Sequence, residues 1–141
     1  MCLYTNFDQE LKIAEKPIKC HKVVIPRYQG WIPIIYSKYT LKYNTILQPL
    51  DEDNNSVRNL KVGTWDEPLC GKYLKIEVGF HAFTKKEHAI KCSERVNGSK
   101  HKVAVIPKGA EYMEGFDGEI VASRMAVFTN ILRYWLWRLF R

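Results

Sequence analysis

The chain has 141 residues, 46% of them apolar and 26% charged, with 22 Lys and Arg against 15 Asp and Glu for a formal net charge of +7. This is one ordinary domain's worth of chain, able to bury a core without metal or disulfide staples, and its balanced composition excludes a low-complexity or disordered polymer. The positive surplus permits anionic partners, but it is uneven. From Ile120 to Arg141 there are four arginines (Arg124, Arg133, Arg138, Arg141) and no acid, so the tail holds more than half of the surplus.

The N-terminal stretch MCLYTNFDQELKIAEK meets an acid at Asp8 and has no apolar run, so a secretory signal is not expected. Cys2, Cys20, Cys70 and Cys92 are widely spaced and include no C-x-x-C pair. Reduced thiols and a cytoplasmic setting follow as the expectation, with no metal or cofactor implied.

In chain order, IKCHKVVI (18–25) is rich in β-branched residues and predicts a first strand that Pro26 stops. WIPIIYS (31–37) predicts a second, and Pro33, which has no N–H to donate, argues for an edge position or an irregular pairing. YTLKYNTILQPL (39–50) reads as extended and DEDNNS (51–56) as a surface loop. VRNLKVGTW alternates like a short strand before a turn at DEPLCG.

KYLKIEV (72–78) predicts a further strand, followed by Phe80-His81-Ala82-Phe83. Thr84-Lys85-Lys86-Glu87 matches a capping box and starts a helix from Lys85 to about Val96, closed by Asn97-Gly98. Ala89 and Cys92 fall on its inward face. HKVAVIP (101–107) is the most strand-like segment, an extended piece is expected around Tyr112, and EIVASRMAVF (119–128) predicts the last strand.

TNILRYWLWRLFR (129–141) predicts a C-terminal amphipathic helix capped by Thr129, with Leu132, Trp135, Leu136 and Leu139 as one broad face. It is too short to cross a bilayer. It suits packing on the domain, self-association, or lying in a membrane interface with its arginines at the headgroups. The expected organisation is a single α+β unit over 1–128, strand-rich with one main helix, plus the aromatic and basic helix of 129–141.

No phosphate loop, nucleophile elbow, HExxH, paired zinc cysteines or EF-hand loop occurs. The four histidines (His21, His81, His88, His101) have no spacing that forces a metal site. His81 stands just before the helix start, where a cleft would open, and with Arg124 it is the candidate ligand-binding residue. Arg133, Trp135, Trp137 and Arg138 are the candidate partner-binding residues, because arginine and tryptophan dominate binding hot spots and stack on bases.

One order of landmarks resembles ADP-ribosyltransferase-like domains: a strand carrying His21, a G-aromatic-x-x-F element running into a helix, and a late strand beginning at Glu119. That resemblance implies His21 and Tyr36 as dinucleotide-holding residues and Glu119 as the carboxylate that orients the attacking group and stabilises oxocarbenium-like charge. Lys22 follows His21 where the pattern has a small residue, and Asp117 stands where it has a second Glu or Gln.

Met1-Cys2-Leu3-Tyr4, Ile18 to Val23, Gly79-Phe80-His81-Ala82-Phe83, and Ile106-Pro107-Lys108-Gly109 with Tyr112 and Gly115 together resemble a family of small proteins of gut bacteria and their tailed phages. The resemblance spans most of 1–128 and implies a strand-rich α+β domain with one main helix and no established activity. The expected function is a non-enzymatic, phage-encoded accessory protein of the host cytoplasm. It would bind an anionic nucleotide, a nucleic acid, or a host or viral protein. The rivals are an ADP-ribosyltransferase-like enzyme and an assembly protein that self-associates through 129–141.

Overall fold

A computed structural model describes residues 3–6, 11–33, 40–48, 61–67, 71–115 and 118–140. In chain order the first strands are β1 (Leu3–Asn6), β2 (Lys12–Ile13), β3 (Ile18–Arg27), β4 (Gly30–Pro33), β5 (Lys61–Glu67), β6 (Gly71–Val78) and β7 (Phe80–Phe83). Helix α1 (Lys86–Glu94) follows, then β8 (Lys100–Ile106), β9 (Glu111–Glu114), β10 (Glu119–Ala122), β11 (Ala126–Val127) and α2 (Ile131–Leu139). The fold is strand-rich α+β. β1, β6 and β5 form a three-stranded sheet, and the other strands form an eight-stranded one in the order β11-β8-β3-β7-β10-β9-β2, with β4 attached to β3.

β3 is the spine of the larger sheet. It pairs antiparallel with β8 from Ile18↔Ile106 to Val24↔Lys100, then turns back through Tyr28-Gln29 to pair with β4. The strand runs through Pro26 instead of stopping there. β8 pairing has ended by that point, so the missing proline N–H faces only the hairpin partner, where Pro26 lies opposite Trp31. Among the described strands β4 pairs with β3, and its other side meets residues 40–48 through a single bridge, Trp31↔Leu41.

The two faces of this sheet differ. On one, Cys20, Val24, Phe80, Ile106, Ile120 and Val127 gather around the fully buried Trp31. Met125 and the alanines Ala14, Ala82, Ala104, Ala110 and Ala122 complete this cluster. Side chains this small leave room for the indole against the sheet, because close-packed interiors admit no further bulk beside it. Residues 40–48 pack against this cluster. Leu41 exchanges backbone hydrogen bonds with Trp31 (2.7 and 2.9 Å), Asn44 N–H donates to Val127 O (2.7 Å), and Leu47 N–H donates to Met125 O (2.9 Å).

The other face carries both helices. α1 lies over β3, β7 and β8 with Ala89 fully buried. The capping box does not form. Lys85 holds the N-cap position with extended dihedrals and no side-chain bond, and the Thr84 hydroxyl and N–H both donate to Gly118 O (3.1 and 2.8 Å). Thr84 therefore ties the helix start to the approach of β10. Gly118 has φ +74, and a Cβ there would sit 3.0 Å from His88 Nδ1 and 3.1 Å from the Thr84 hydroxyl.

The expected strand over 119–128 divides into β10 and β11 at Ser123-Arg124. Ser123 N–H donates to Glu111 O (2.8 Å) and its hydroxyl accepts from Glu111 N–H (3.0 Å), so the chain leaves β9 there and crosses to β8. α2 is capped by Asn130, whose side-chain oxygen accepts from Arg133 N–H (3.0 Å), and not by Thr129. Tyr134 and Trp137 fasten the helix by packing on Phe128, at ring separations of 5.7 and 5.9 Å.

Candidate functional site

β-pairing sets His21 and Glu119 in one row. His21 lies opposite Phe83, and Phe83 lies opposite Glu119, so both point to the α1 face with one strand between them. Two strand spacings separate their backbones by roughly 10 Å, too far for a direct hydrogen bond and filled by the Phe83 ring. That ring meets His88 of α1 edge-on at 6.4 Å. Tyr36, the third member of the dinucleotide pattern, lies outside the described residues.

Burial disfavours the charged form of His21, His81 and His101. His21 has its pKa lowered by burial first, then by the Lys19, His101 and Lys86 charges, and its Nδ1 is buried without a partner. His101, two positions along on β8, is lowered by burial and then by Lys86 and Lys102. His81 is opposite Val121 of β10, and burial followed by the Lys22 charge pushes it down to about 3. It is a partly buried side chain within the sheet. Among the described residues no group of three or more His, Cys, Asp or Glu is placed to hold a metal ion.

Sequence reasoning missed Lys22. It sits in β3 between Cys20 and Val24, on the face that packs around Trp31, and is only 5% exposed. Its Nζ donates to His81 O (2.6 Å) and lies 5.7 Å from the Trp31 ring centroid and 5.9 Å from that of Phe80. Burial pulls its pKa down to about 8. Burial also raises the neighbouring Cys20 thiol to about 12, so that thiol is a core group and no nucleophile. Lys22 is out of reach of a ligand and acts as an internal brace between β3 and β7. The available signal was its place on the alternating face with Ile18, Cys20 and Val24.

Arg124 lies on the β10–β11 connection against the Pro107-Lys108-Gly109 turn. Gly109 has φ +87, and a Cβ on it would stand 3.2 Å from the Arg124 guanidinium. The positive φ is what favours glycine there, and the guanidinium end would shift only slightly for a Cβ.

The surface most unlike an ordinary protein exterior is α2. Its packed side is Tyr134 and Trp137, while Leu132 (64%), Leu139 (75%), Trp135 (46%) and Leu136 (39%) stay exposed. Cations surround this apolar strip. Lys19 Nζ lies 5.3 Å from the Tyr134 ring centroid and 6.0 Å from that of Trp135, and the Arg138 guanidinium lies 5.6 Å from that of Trp135. Arg138 also donates to the Tyr134 hydroxyl (3.4 Å). Of the four candidate partner-binding residues, Arg133, Trp135 and Arg138 are exposed, and Trp137 turns towards the sheet.

The protein defined by these features is a strand-rich α+β protein with a large antiparallel sheet, two helices on one face and an exposed apolar, cationic helix surface. Comparison with protein-family models, with curated proteins and with solved structures gives no match.

Proposed function

We propose that the protein is a non-enzymatic accessory binding protein, of the phage-associated kind that its MCLY, GFHAF and IPKG segments resemble, and that it engages an anionic partner through α2. One observation carries this reading: α2 leaves its largest apolar strip in solvent, bordered by Lys19, Arg133 and Arg138, in a segment with no acid after Glu119. Exposed contiguous apolar surface rimmed by polar groups marks interaction sites, and cations beside it select for negative charge.

The enzyme reading is favoured by the shared row of His21 and Glu119, but α1 lies over β3 and β7 on that same face. Glu119→Gln should leave no ADP-ribose transfer to lose. Measurable nicotinamide release abolished by that change would establish catalysis. For the binding reading, the full chain is titrated at low salt with ATP, a single-stranded oligonucleotide and phosphatidylglycerol vesicles, following tryptophan fluorescence. At least one probe should bind, and Arg133→Glu with Arg138→Glu should weaken it. Failure of all three probes would refute the proposal.

A further inference from the structure

α2 is arranged unlike a helix made only to pack on its own domain. At about 100° per residue, Leu132 and Leu139 project within about 20° of each other, with Trp135 and Leu136 about 50° to either side of them. On the same wheel Arg133 and Arg138 fall about 110° to either side of the leucines. Tyr134 and Trp137, the residues that hold the helix down, lie on the reverse. The helix therefore presents an apolar crest to solvent with a cation on each flank, and Lys19 of β3 beside Trp135.

We infer that this crest docks on an anionic phospholipid surface, with α2 lying in the interface; this rests on the binding reading above. Charge complementarity selects the occupant. A second copy would meet the crest isologously and set Arg133 and Arg138 against like charges, with no acid on α2 to pair them. Nucleic acid would satisfy the arginines but leave the leucines idle, because a leucine gives a base neither a stacking plane nor a hydrogen bond. An anionic bilayer answers both halves of the surface. Leucines enter the acyl boundary, Trp135 sits at headgroup level, and the flanking arginines and lysine reach phosphates. Nine residues rise only about 14 Å, and among the described residues no helix is long and apolar enough to cross a membrane, so the contact lies along the surface.

The test is flotation of the full chain with vesicles of phosphatidylcholine, alone or mixed with phosphatidylglycerol. Three basic side chains near the surface predict on the order of 100-fold tighter binding to the mixed vesicles. Leu132→Glu combined with Leu139→Glu should abolish flotation while leaving the thermal midpoint unchanged, since both side chains are exposed. Absence from both vesicle types, or equal binding to both, overturns the inference. So does a dimer in sedimentation that the double variant dissolves. Oligonucleotide binding without vesicle binding overturns the lipid assignment and leaves the anionic-partner reading standing. Binding of no probe removes both.

Discussion

Replacing Lys22 with methionine should stabilise the protein. The substitution keeps an unbranched stem in the space beside Trp31 and Phe80 and removes the charge. Burial lowers the ammonium from its ordinary 10.5 to about 8, so at neutral pH keeping the proton costs on the order of 3 kcal/mol relative to the unfolded chain. Methionine leaves His81 O without its donor, which costs about 1–3 kcal/mol. The net expectation is a gain of about 1–2 kcal/mol at pH 7, raising the midpoint by about 3–7 °C.

The sign with pH is also fixed. Between pH 8 and 10.5 the unfolded chain holds a proton that the folded one has released, so the wild type gains stability as pH rises. Cys20, raised from 9.0 to about 12, works in the opposite direction above pH 9. The useful quantity is therefore the difference between wild type and Lys22→Met in urea unfolding, which should narrow from pH 8 upwards. A variant destabilised by more than about 1 kcal/mol at pH 7, with a pH-independent gap, would show that the hydrogen bond and ring contacts outweigh desolvation, and the reasoning would be wrong.

Acid should destabilise the fold through its neutral histidines. The unfolded His81 takes up a proton near pH 6.5 and the folded one only near 3, so stability present above 6.5 is lost as pH falls. About 2 kcal/mol should disappear by pH 5 from His81 alone, with His21 and His101 adding in the same direction; His81→Phe should flatten the urea-measured slope. Gly118→Ala should cost about 1–2 kcal/mol, because φ +74 disfavours a side chain and the new Cβ meets His88; an unchanged urea midpoint would contradict that. Tyr134→Ala should cost about 3 kcal/mol and weaken the near-ultraviolet circular dichroism of the Phe128 cluster, since it removes the one fully packed side chain of α2.

β-Branched and apolar runs made β3 and β8 readable, because each has a stretch buried on both faces, Lys22 to Val24 and Ala104 to Ile106; β7 buries Phe80 and Ala82 alone and its four residues read equally as a strand or a turn. The short β2 was not readable, since two residues carry no period and Ile13 remains 63% exposed. The break at Ser123-Arg124 was hidden for another reason. A serine exchanging bonds with Glu111 diverts the chain, and the polar pair Ser123-Arg124 inside EIVASRMAVF reads equally well as solvent-facing positions of one continuous strand. The starts of both helices were mis-assigned to threonines whose backbone groups are used elsewhere, Thr84 by Gly118 and Thr129 by Asn44.

At the site, the sequence pattern singled out Leu132, Trp135, Leu136 and Leu139 as the broad apolar face, which ordinarily marks the buried side. The structure buries Tyr134 and half-buries Trp137 instead, because Phe128 gives them ring partners. Periodicity locates an apolar stripe but is silent on which neighbour receives it. Lys22 was overlooked because a lysine in an alternating strand is ordinarily a solvent-facing residue.

The orientation of α2 on lipid is tested most directly by quenching with brominated phosphatidylglycerol. Emission from the full chain should fall on mixing, and Trp135→Phe should remove most of that quenching, since Trp135 is the tryptophan beside the exposed leucines. Quenching that persists unchanged in Trp135→Phe, or no quenching from vesicles that bind the protein, would contradict insertion of the α2 crest.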